Sequence, residues 1–163
     1  MKKLILLTSL ACFSFSVVAQ KYGLTSPDGK LTAGIEIDNG IYAALLKGRS
    51  AVFKLGNISL ETYYVTGKKD EYKVQKINRN SVNEVIRPEI RDKAVTFINS
   101  YNELEIKFRN KYAITFRLFN EGLAYRLSTS SKDSLKIIRE NLDLYFETSD
   151  SARFQSSKTF NSA

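Results

Sequence analysis

Histidine is absent from the 163-residue sequence, and Cys12 is its single cysteine. The lack of histidine excludes a Ser-His-Asp triad, a Cys-His pair and a histidine-ligated zinc ion within this chain. Cys12 lies in an apolar segment near the start of the chain, and removal of that segment would leave no cysteine. Disulfide bonds and thiolate metal sites would then be excluded as well. The catalytic arrangements that depend on histidine or cysteine are therefore excluded from the expected mature domain.

The apolar segment has the features of a secretory signal peptide. It follows two lysines, extends from Leu4 to Val18, and is followed by the small residue Ala19. Serine and threonine interrupt it, and it is shorter than the roughly 20 residues of a membrane span. We therefore expect residues 1–19 to be a cleaved signal peptide and the protein to be exported. A retained membrane anchor is one alternative, and a lipoprotein lipidated at Cys12 is a weaker one, because the sequence stays apolar beyond Cys12.

Basic residues exceed acidic ones, with 25 Lys and Arg against 17 Asp and Glu and a formal net charge of +8. Cleavage of the signal would remove two of the lysines. Charges of both signs are interspersed, as at residues 68–71 (Lys-Lys-Asp-Glu). Because a nucleic-acid-binding surface needs concentrated positive charge, we expect a solvated basic surface, no nucleic-acid partner and no membrane span.

Alternation of apolar and polar residues dominates the rest of the chain. Every second residue from Leu31 to Ile37 is apolar, which predicts a strand with one buried face. Asn39-Gly40 follows, a pair that suits a type I′ turn with both residues at positive φ. Many short strands at regular spacing predict an all-β, antiparallel sandwich or barrel. The predicted strands are 22–25, 31–38, 41–47, 51–55, 58–64, 72–77, 82–87, 94–99, 104–108, 112–119, 123–127, 135–138 and 142–147.

Carboxylates are the remaining side chains for acid–base chemistry. Glu103 and Glu105, like Glu36 and Asp38, lie two residues apart on one strand face, at roughly 6.5–7 Å along the backbone. This spacing is close to that of glycosidase carboxylate pairs. Both pairs face away from the predicted core, so we expect them to be solvated side chains without a catalytic role.

Two other kinds of site have candidate residues. Oxygen-bearing side chains occur at the predicted turns 28–29, 38–40 and 120–122, but none has the spacing of a calcium-binding loop. Turn chemistry explains them, and we expect no metal site in this chain. Tyr63, Tyr64 and Tyr101 are candidates for stacking on a sugar, although packing in the core or at a sheet edge is the favoured interpretation.

Two motifs are more specific than turn chemistry requires. One is Ser-Pro-Asp-Gly-Lys-Leu at residues 26–31, and the other is Arg-Leu-Phe-Asn-Glu-Gly-Leu-Ala-Tyr-Arg at residues 117–126. Together they resemble the N-terminal β-sandwich domain of glycoside hydrolase family 97, a family of exported α-glucosidases and α-galactosidases of Gram-negative bacteria. The family's second motif reads closer to R-x-Y-N-D-G-V-A-F-R, so this sequence departs from it mildly. The motif residues are Pro27, Asp28, Gly29, Arg117, Asn120, Gly122 and Arg126.

The resemblance covers about residues 22–147. It implies a super-sandwich-type β-sandwich over residues 20–147 and a loop or tail at 148–163 that leads towards a missing region. Full-length members carry a (β/α)₈ barrel whose carboxylates act as acid and as base or nucleophile. Their calcium ion is held by glutamates, and the sandwich glutamate among these corresponds to a position beyond residue 163. The resemblance thus implies calcium for the full-length protein, but no catalytic residue and no metal ligand in this chain.

We therefore expect a truncated, catalytically inactive sandwich that packs in cis on a missing barrel and helps to shape a site for α-linked carbohydrate. The implied location is the periplasm of a Gram-negative bacterium or the medium. Asn120 and Gly122 are expected to form a turn, and the flanking Arg117 and Arg126 to pair with carboxylates or with a neighbouring domain. The alternatives are a free-standing carbohydrate-binding module and a structural scaffold.

Overall fold

The computed structural model describes residues 20–62, 72–87, 96–132, 136–146 and 151. These residues form nine β-strands and no helix. Five strands pair in the order β1-β2-β3-β4-β9 (sheet A) and four in the order β5-β6-β7-β8 (sheet B), all antiparallel. The strands are Gln20–Thr25 (β1), Leu31–Ile37 (β2), Ile41–Lys47 (β3), Ser50–Thr62 (β4), Val74–Ile86 (β5), Phe97–Phe108 (β6), Tyr112–Phe119 (β7), Leu123–Thr129 (β8) and Ile137–Tyr145 (β9).

The two sheets face each other and bury one apolar core, which confirms the predicted all-β sandwich. Burial alternates along β2, as the sequence pattern predicts, and Ile114, Phe116 and Leu118 of β7 have no exposed surface. Complete burial of a side chain of this size contributes about 1.5–3 kcal/mol relative to exposure. The core residues are Leu24, Leu31, Ala33, Ile35, Ile37, Ile41, Ala43, Leu45, Leu55, Ile58, Leu104, Ile106, Phe108, Ile114, Phe116 and Leu118.

Several predicted short strands are parts of longer ones. Residues 74–77 and 82–86 of two predicted segments belong to the single strand β5, and residues 97–99 and 104–108 of two others belong to β6. Residues 94–95 lie outside the described part of the chain. Polar residues separate the predicted segments in the sequence. They occupy strand positions because β5 and β6 pair continuously from the core to Ile86 and Phe97. Segments 51–55 and 58–64 similarly form β4, which is bulged between Gly56 and Ser59. Residues 63–64 lie outside the described residues.

The β2–β3 hairpin is confirmed, but its predicted turn type is wrong. Ile37 pairs with Ile41, so three residues form the connection, and the Asp38 amide donates to the Gly40 carbonyl oxygen at 3.1 Å. Neither Asn39 nor Gly40 has a φ in the left-handed region. Gly40 instead leaves room for the Tyr42 ring, because a Cβ there would lie 3.3 Å from that ring.

Polar side chains tie the two sheets together at the β1 edge. The Arg79 guanidinium donates to the Gly23 carbonyl oxygen at 2.7 Å, and the Asn102 amide donates to the Thr25 carbonyl oxygen at 2.6 Å. Ser81 in turn donates its hydroxyl to Asn102 at 2.6 Å. These bonds satisfy carbonyl groups of an edge strand and fix β1 beside β5 and β6.

At the opposite edge, sheet A extends beyond sheet B. β1 contacts β6 and β2 contacts β7, so β8, the last strand of sheet B, is the one nearest to β9, and Tyr125 of β8 reaches Glu140 of β9 by a hydrogen bond. Leu144 pairs with the buried Leu55, yet it is 53% exposed. Beyond the contact at Glu140, the inner face of β9 is therefore open at Leu144 within the described part of the chain.

Candidate functional site

The turn of the first motif is a closed hydrogen-bonded unit. The Gly29 amide donates to the Ser26 carbonyl oxygen at 3.0 Å, and Gly29 has a φ of +74°. The Asp28 carboxylate accepts from the Ser26 hydroxyl at 2.7 Å and from the Lys30 amide at 3.1 Å. These bonds, led by that from Ser26, hold the pKa of Asp28 below its ordinary value. Pro27 supplies the fixed φ that the first corner of such a turn favours.

The two motifs meet in space. The Asp28 amide donates to the Asn120 side-chain oxygen at 3.0 Å across 92 residues of sequence. The second turn is closed by the Phe119 amide, which donates to the Gly122 carbonyl oxygen at 2.9 Å. The expected turn at Asn120 and Gly122 is confirmed, and its role extends to joining sheet B to sheet A.

Arg117 lies on the outer face of sheet B and is paired within the domain. Its Nε donates to the Glu103 carboxylate at 2.7 Å, and its guanidinium lies 4.5 Å from the centre of the Tyr101 ring. Arg126 occupies the same face on β8, opposite Thr115, and is exposed. An open cavity of about 220 Å³ lies over this face, lined in part by Arg117 and Arg126. Of the two motif arginines, Arg117 thus has the carboxylate partner that the sequence led us to expect.

The predicted carboxylate pairs have structural partners. Glu103 accepts from Arg117, and Glu105 accepts from the Asn78 amide at 2.6 Å and lies 3.5 Å from the Lys107 ammonium. Glu36 forms an exposed ion pair with Lys21 at 3.6 Å. These contacts agree with the expectation that the carboxylates belong to the surface of the sandwich. Among the described residues, no three Asp or Glu side chains converge in a way that would hold a metal ion.

Tyr101, one of the candidates for stacking on a sugar, is 6% exposed, because the Phe119 ring packs against it with centroids 5.1 Å apart and Arg117 lies over its ring. This position on the outer face of sheet B agrees with the packing role expected from the sequence. Tyr63 and Tyr64 lie outside the described residues.

Two exposed tyrosines that the sequence did not single out lie on the outer face of sheet A. Tyr42 is 44% exposed and Tyr145 is 56% exposed. They flank an open groove of about 430 Å³ on strands β2, β3, β4 and β9. The alternation in β3 indicates that Tyr42 faces away from the core. Tyr145 lies beside Tyr42 only because β4 pairs with β9, which is distant in the sequence. The groove is lined by Gly34, Glu36, Tyr42, Ala43, Ala44, Lys54, Leu55, Gly56 and Tyr145.

Tyr125 connects β8 to β9 on the inner side. Its hydroxyl donates to the Glu140 carboxylate at 2.6 Å, and its ring packs on Phe116 at 6.5 Å. Burial first, and then the bond to the negative Glu140, raises the pKa of Tyr125 well above its ordinary value. The hydroxyl is therefore a fixed donor that ties the two sheets together near the open edge.

The fold and the joined turns define an antiparallel β-sandwich domain. The family model described as glycosyl-hydrolase 97 N-terminal matches residues 24–163. The chain therefore belongs to the glycoside hydrolase family 97 N-terminal domains, as the two motifs indicated.

A relative and two solved structures that the chain resembles are longer proteins. It is 32% identical over 148 residues to a retaining α-galactosidase of Bacteroides thetaiotaomicron, a match covering 90% of this chain and 22% of that protein. It is similar to family 97 enzymes of Pseudoalteromonas sp. strain K8 in complex with panose and with acarbose, with TM-scores of 0.61 and 0.60 at 16% identity. Each structural match covers 73% of this chain and 19% of the solved one. The chain thus spans about a fifth of the length of these relatives.

Proposed function

We propose that this chain is the non-catalytic N-terminal sandwich of an exported family 97 α-glycoside hydrolase. In this proposal it packs in cis on a catalytic (β/α)₈ barrel and helps to shape the site for α-linked carbohydrate. The periplasm or the medium is the proposed location, and calcium is the proposed ion of the full-length enzyme. The observation that carries the proposal is a large exposed apolar surface at two positions of an otherwise well-packed sandwich.

The first apolar surface, the tip patch, lies at the end of the β5–β6 hairpin away from the core. Its residues Val85, Ile86, Phe97 and Ile98 are 61%, 44%, 51% and 78% exposed. The hairpin is paired throughout, so its tip presents these side chains on an ordered strand pair. Val85 pairs with Ile98 and Ile86 with Phe97, so apolar side chains are exposed on both faces of the strand pair. Exposed apolar surface of this kind marks an interaction surface.

The second apolar surface, the β9 patch, belongs to the open edge of sheet A. All its members are between 37% and 59% exposed, although strands this apolar are ordinarily covered on one face. The Phe146 ring packs against Phe53 at 6.5 Å, which makes the patch continuous with the core. Further polypeptide laid over this edge would complete the sandwich. The patch consists of Ile137, Ile138, Leu142, Leu144 and Phe146.

The absence of catalysis is tested on the chain itself. We expect it to hydrolyse neither p-nitrophenyl α-galactoside nor p-nitrophenyl α-glucoside, with or without calcium. Turnover by the chain alone would contradict the non-catalytic role. The coding sequence downstream of residue 163 provides the second test: a barrel-coding frame supports the proposal, and a stop codon with no such frame contradicts it.

The packing role is tested in the full-length polypeptide. Ile98→Lys and Leu144→Lys are expected to lower its thermal midpoint and its glycosidase activity, because each puts a charge into a proposed interface. Val52→Lys is the matched control, since Val52 is also apolar and exposed, at 39%, but lies on the outer face of sheet A. Equal effects of all three substitutions would argue against packing through the two patches.

A further inference from the structure

The groove on the outer face of sheet A has the construction of a sugar-binding surface. Its floor crosses the sheet through Gly34 and Ala44, which pair with each other and leave almost no side chain above the backbone. Its volume of about 430 Å³ falls in the range of small-molecule sites, roughly 300–1,000 Å³.

The tyrosine rings on either side lie along the sheet. The Cε2 and Cδ1 atoms on opposite edges of the Tyr42 ring come within 3.3 and 3.6 Å of the Cβ positions of Gly40 and Gly56. The Tyr145 ring approaches the same Gly56 position at 3.0 Å. Both rings thus lie next to Gly56, where no side chain intervenes between them and the backbone. Tyr42 and Tyr145 are 44% and 56% exposed and so remain accessible to a ligand, whereas Tyr101 is 6% exposed.

Polar groups complete the groove. Glu36 pairs with Tyr42 across β2 and β3, and Lys54 pairs with Tyr145 across β4 and β9, so each ring has a charged neighbour in the groove. Lys54 has no ion-pair partner within the described part of the chain. A carboxylate that accepts and an ammonium that donates can bind hydroxyl groups on both sides of a stacked sugar.

We propose that this groove is a carbohydrate-binding site for short α-linked oligosaccharides, formed by stacking on Tyr42 and Tyr145 with Glu36 and Lys54 at its sides. The class of ligand follows from the family of the chain, whose relatives include an α-galactosidase and an enzyme solved with panose. The site lies on the outer face of sheet A, away from the tip patch, and needs no contribution from a catalytic barrel. It holds substrate on the domain without acting on it.

The test is an NMR titration of the chain with panose and with melibiose, and with cellotriose as a β-linked comparison. Millimolar panose or melibiose is expected to shift the amide signals of Gly34, Ala44 and Gly56, with smaller shifts from cellotriose. Tyr42→Ala and Tyr145→Ala should each weaken binding by about threefold to tenfold. No shift of these amides at millimolar concentrations of the α-linked sugars would overturn the proposal.

A matched pair of substitutions separates groove binding from a loss of folding. A Cβ at Gly34 meets no atom within 4 Å and its φ lies outside the left-handed region, so Gly34→Leu fills the floor without strain. Thr32→Leu places the same side chain on the same face of β2, outside the groove. Binding should be lost in Gly34→Leu and kept in Thr32→Leu, and equal affinities in both would contradict the site. A chain that is fused to a barrel but binds no sugar would refute this inference and leave the proposed function standing.

Discussion

The hydrogen bond between Asp28 and Asn120 joins two turns that are far apart in the sequence. Each turn is chemically self-sufficient, with its own backbone bond and its own favoured residue types. The Asp28 amide nevertheless needs an acceptor that its own turn does not supply, and Asn120 provides it. The residue types of the motifs thus follow from a contact between the sheets as well as from local turn chemistry.

Asn120→Ala removes this acceptor. We expect the free energy of unfolding to fall by about 0.5–1.5 kcal/mol, the usual net contribution of one hydrogen bond. Asn120→Asp retains an oxygen at the same position and should lose less. Glu121→Ala is the control, since Glu121 is exposed in the same turn. Urea denaturation of the three variants measures the difference, and equal stability of Asn120→Ala and Glu121→Ala would show that the contact contributes nothing.

The lowered pKa of Asp28 makes the first turn sensitive to acid. Because the folded-state pKa lies below the unfolded value of about 3.9, the charge stabilises the fold above that pH and ceases to do so as the pH falls through the folded pKa. The stability advantage over Asp28→Asn should therefore shrink only below about pH 4. Unfolding measured across this range checks the sign, and a constant advantage down to full protonation would contradict it. NMR titration of Ser26→Ala should show the pKa of Asp28 moving back towards its ordinary value.

At the scale of elements, the sequence predicted which residues face the core better than it predicted where strands end. Alternation in β2 and β7 is a local property, and the structure confirms it. The lengths of β5 and β6 depend on their pairing with each other beyond the apolar core, where side chains such as Arg79 and Asn102 are polar even though they bond to β1. The alternation of apolar and polar residues is lost there, so the sequence pattern ends each predicted strand too early. The groove residues Tyr42 and Tyr145 escaped prediction for the same reason, since only the pairing of β4 with β9 brings them together.

Isoleucine occurs both in the core and at the hairpin tip, so its contribution to stability can be compared at the two places. Ile58 of β4 is fully buried and Ile98 of β6 is 78% exposed. Ile58→Ala should lower the free energy of unfolding by about 2–5 kcal/mol through lost burial and a cavity. Ile98→Ala should change it by no more than about 0.5 kcal/mol. Urea denaturation of both variants tests this, and a large loss in Ile98→Ala would mean that the tip packs within the isolated domain.

At the scale of the whole molecule, the sandwich is complete at one side and open at the other. Polar bonds from Arg79 and Asn102 close the β1 side. The β9 side carries exposed apolar side chains on a strand that sheet B reaches through the Tyr125–Glu140 hydrogen bond. This asymmetry agrees with a domain that occupies about a fifth of its relatives' length.

The open side predicts the behaviour of the isolated chain. We expect it to bind a hydrophobic fluorescent dye and to self-associate as its concentration rises, because both apolar patches face solvent. Ile98→Lys combined with Leu144→Lys should reduce dye binding and association while leaving the unfolding midpoint nearly unchanged. Sedimentation velocity and dye fluorescence measure the two effects. A monomeric chain that binds no dye would show that the patches are covered within the chain itself.

The pairing of β4 with β9 also affects the order in which the strands fold. All four strands of sheet B are synthesised between the two partners, so sheet A gains its last strand only after sheet B exists. Closing so long a loop is entropically costly, and folds dominated by distant pairings form slowly. The hairpins β5–β6 and β7–β8 join neighbours in sequence and can form early. Addition of β9 is thus expected to be the late event of folding, and until then the free edge of β4 can take up a strand from another chain.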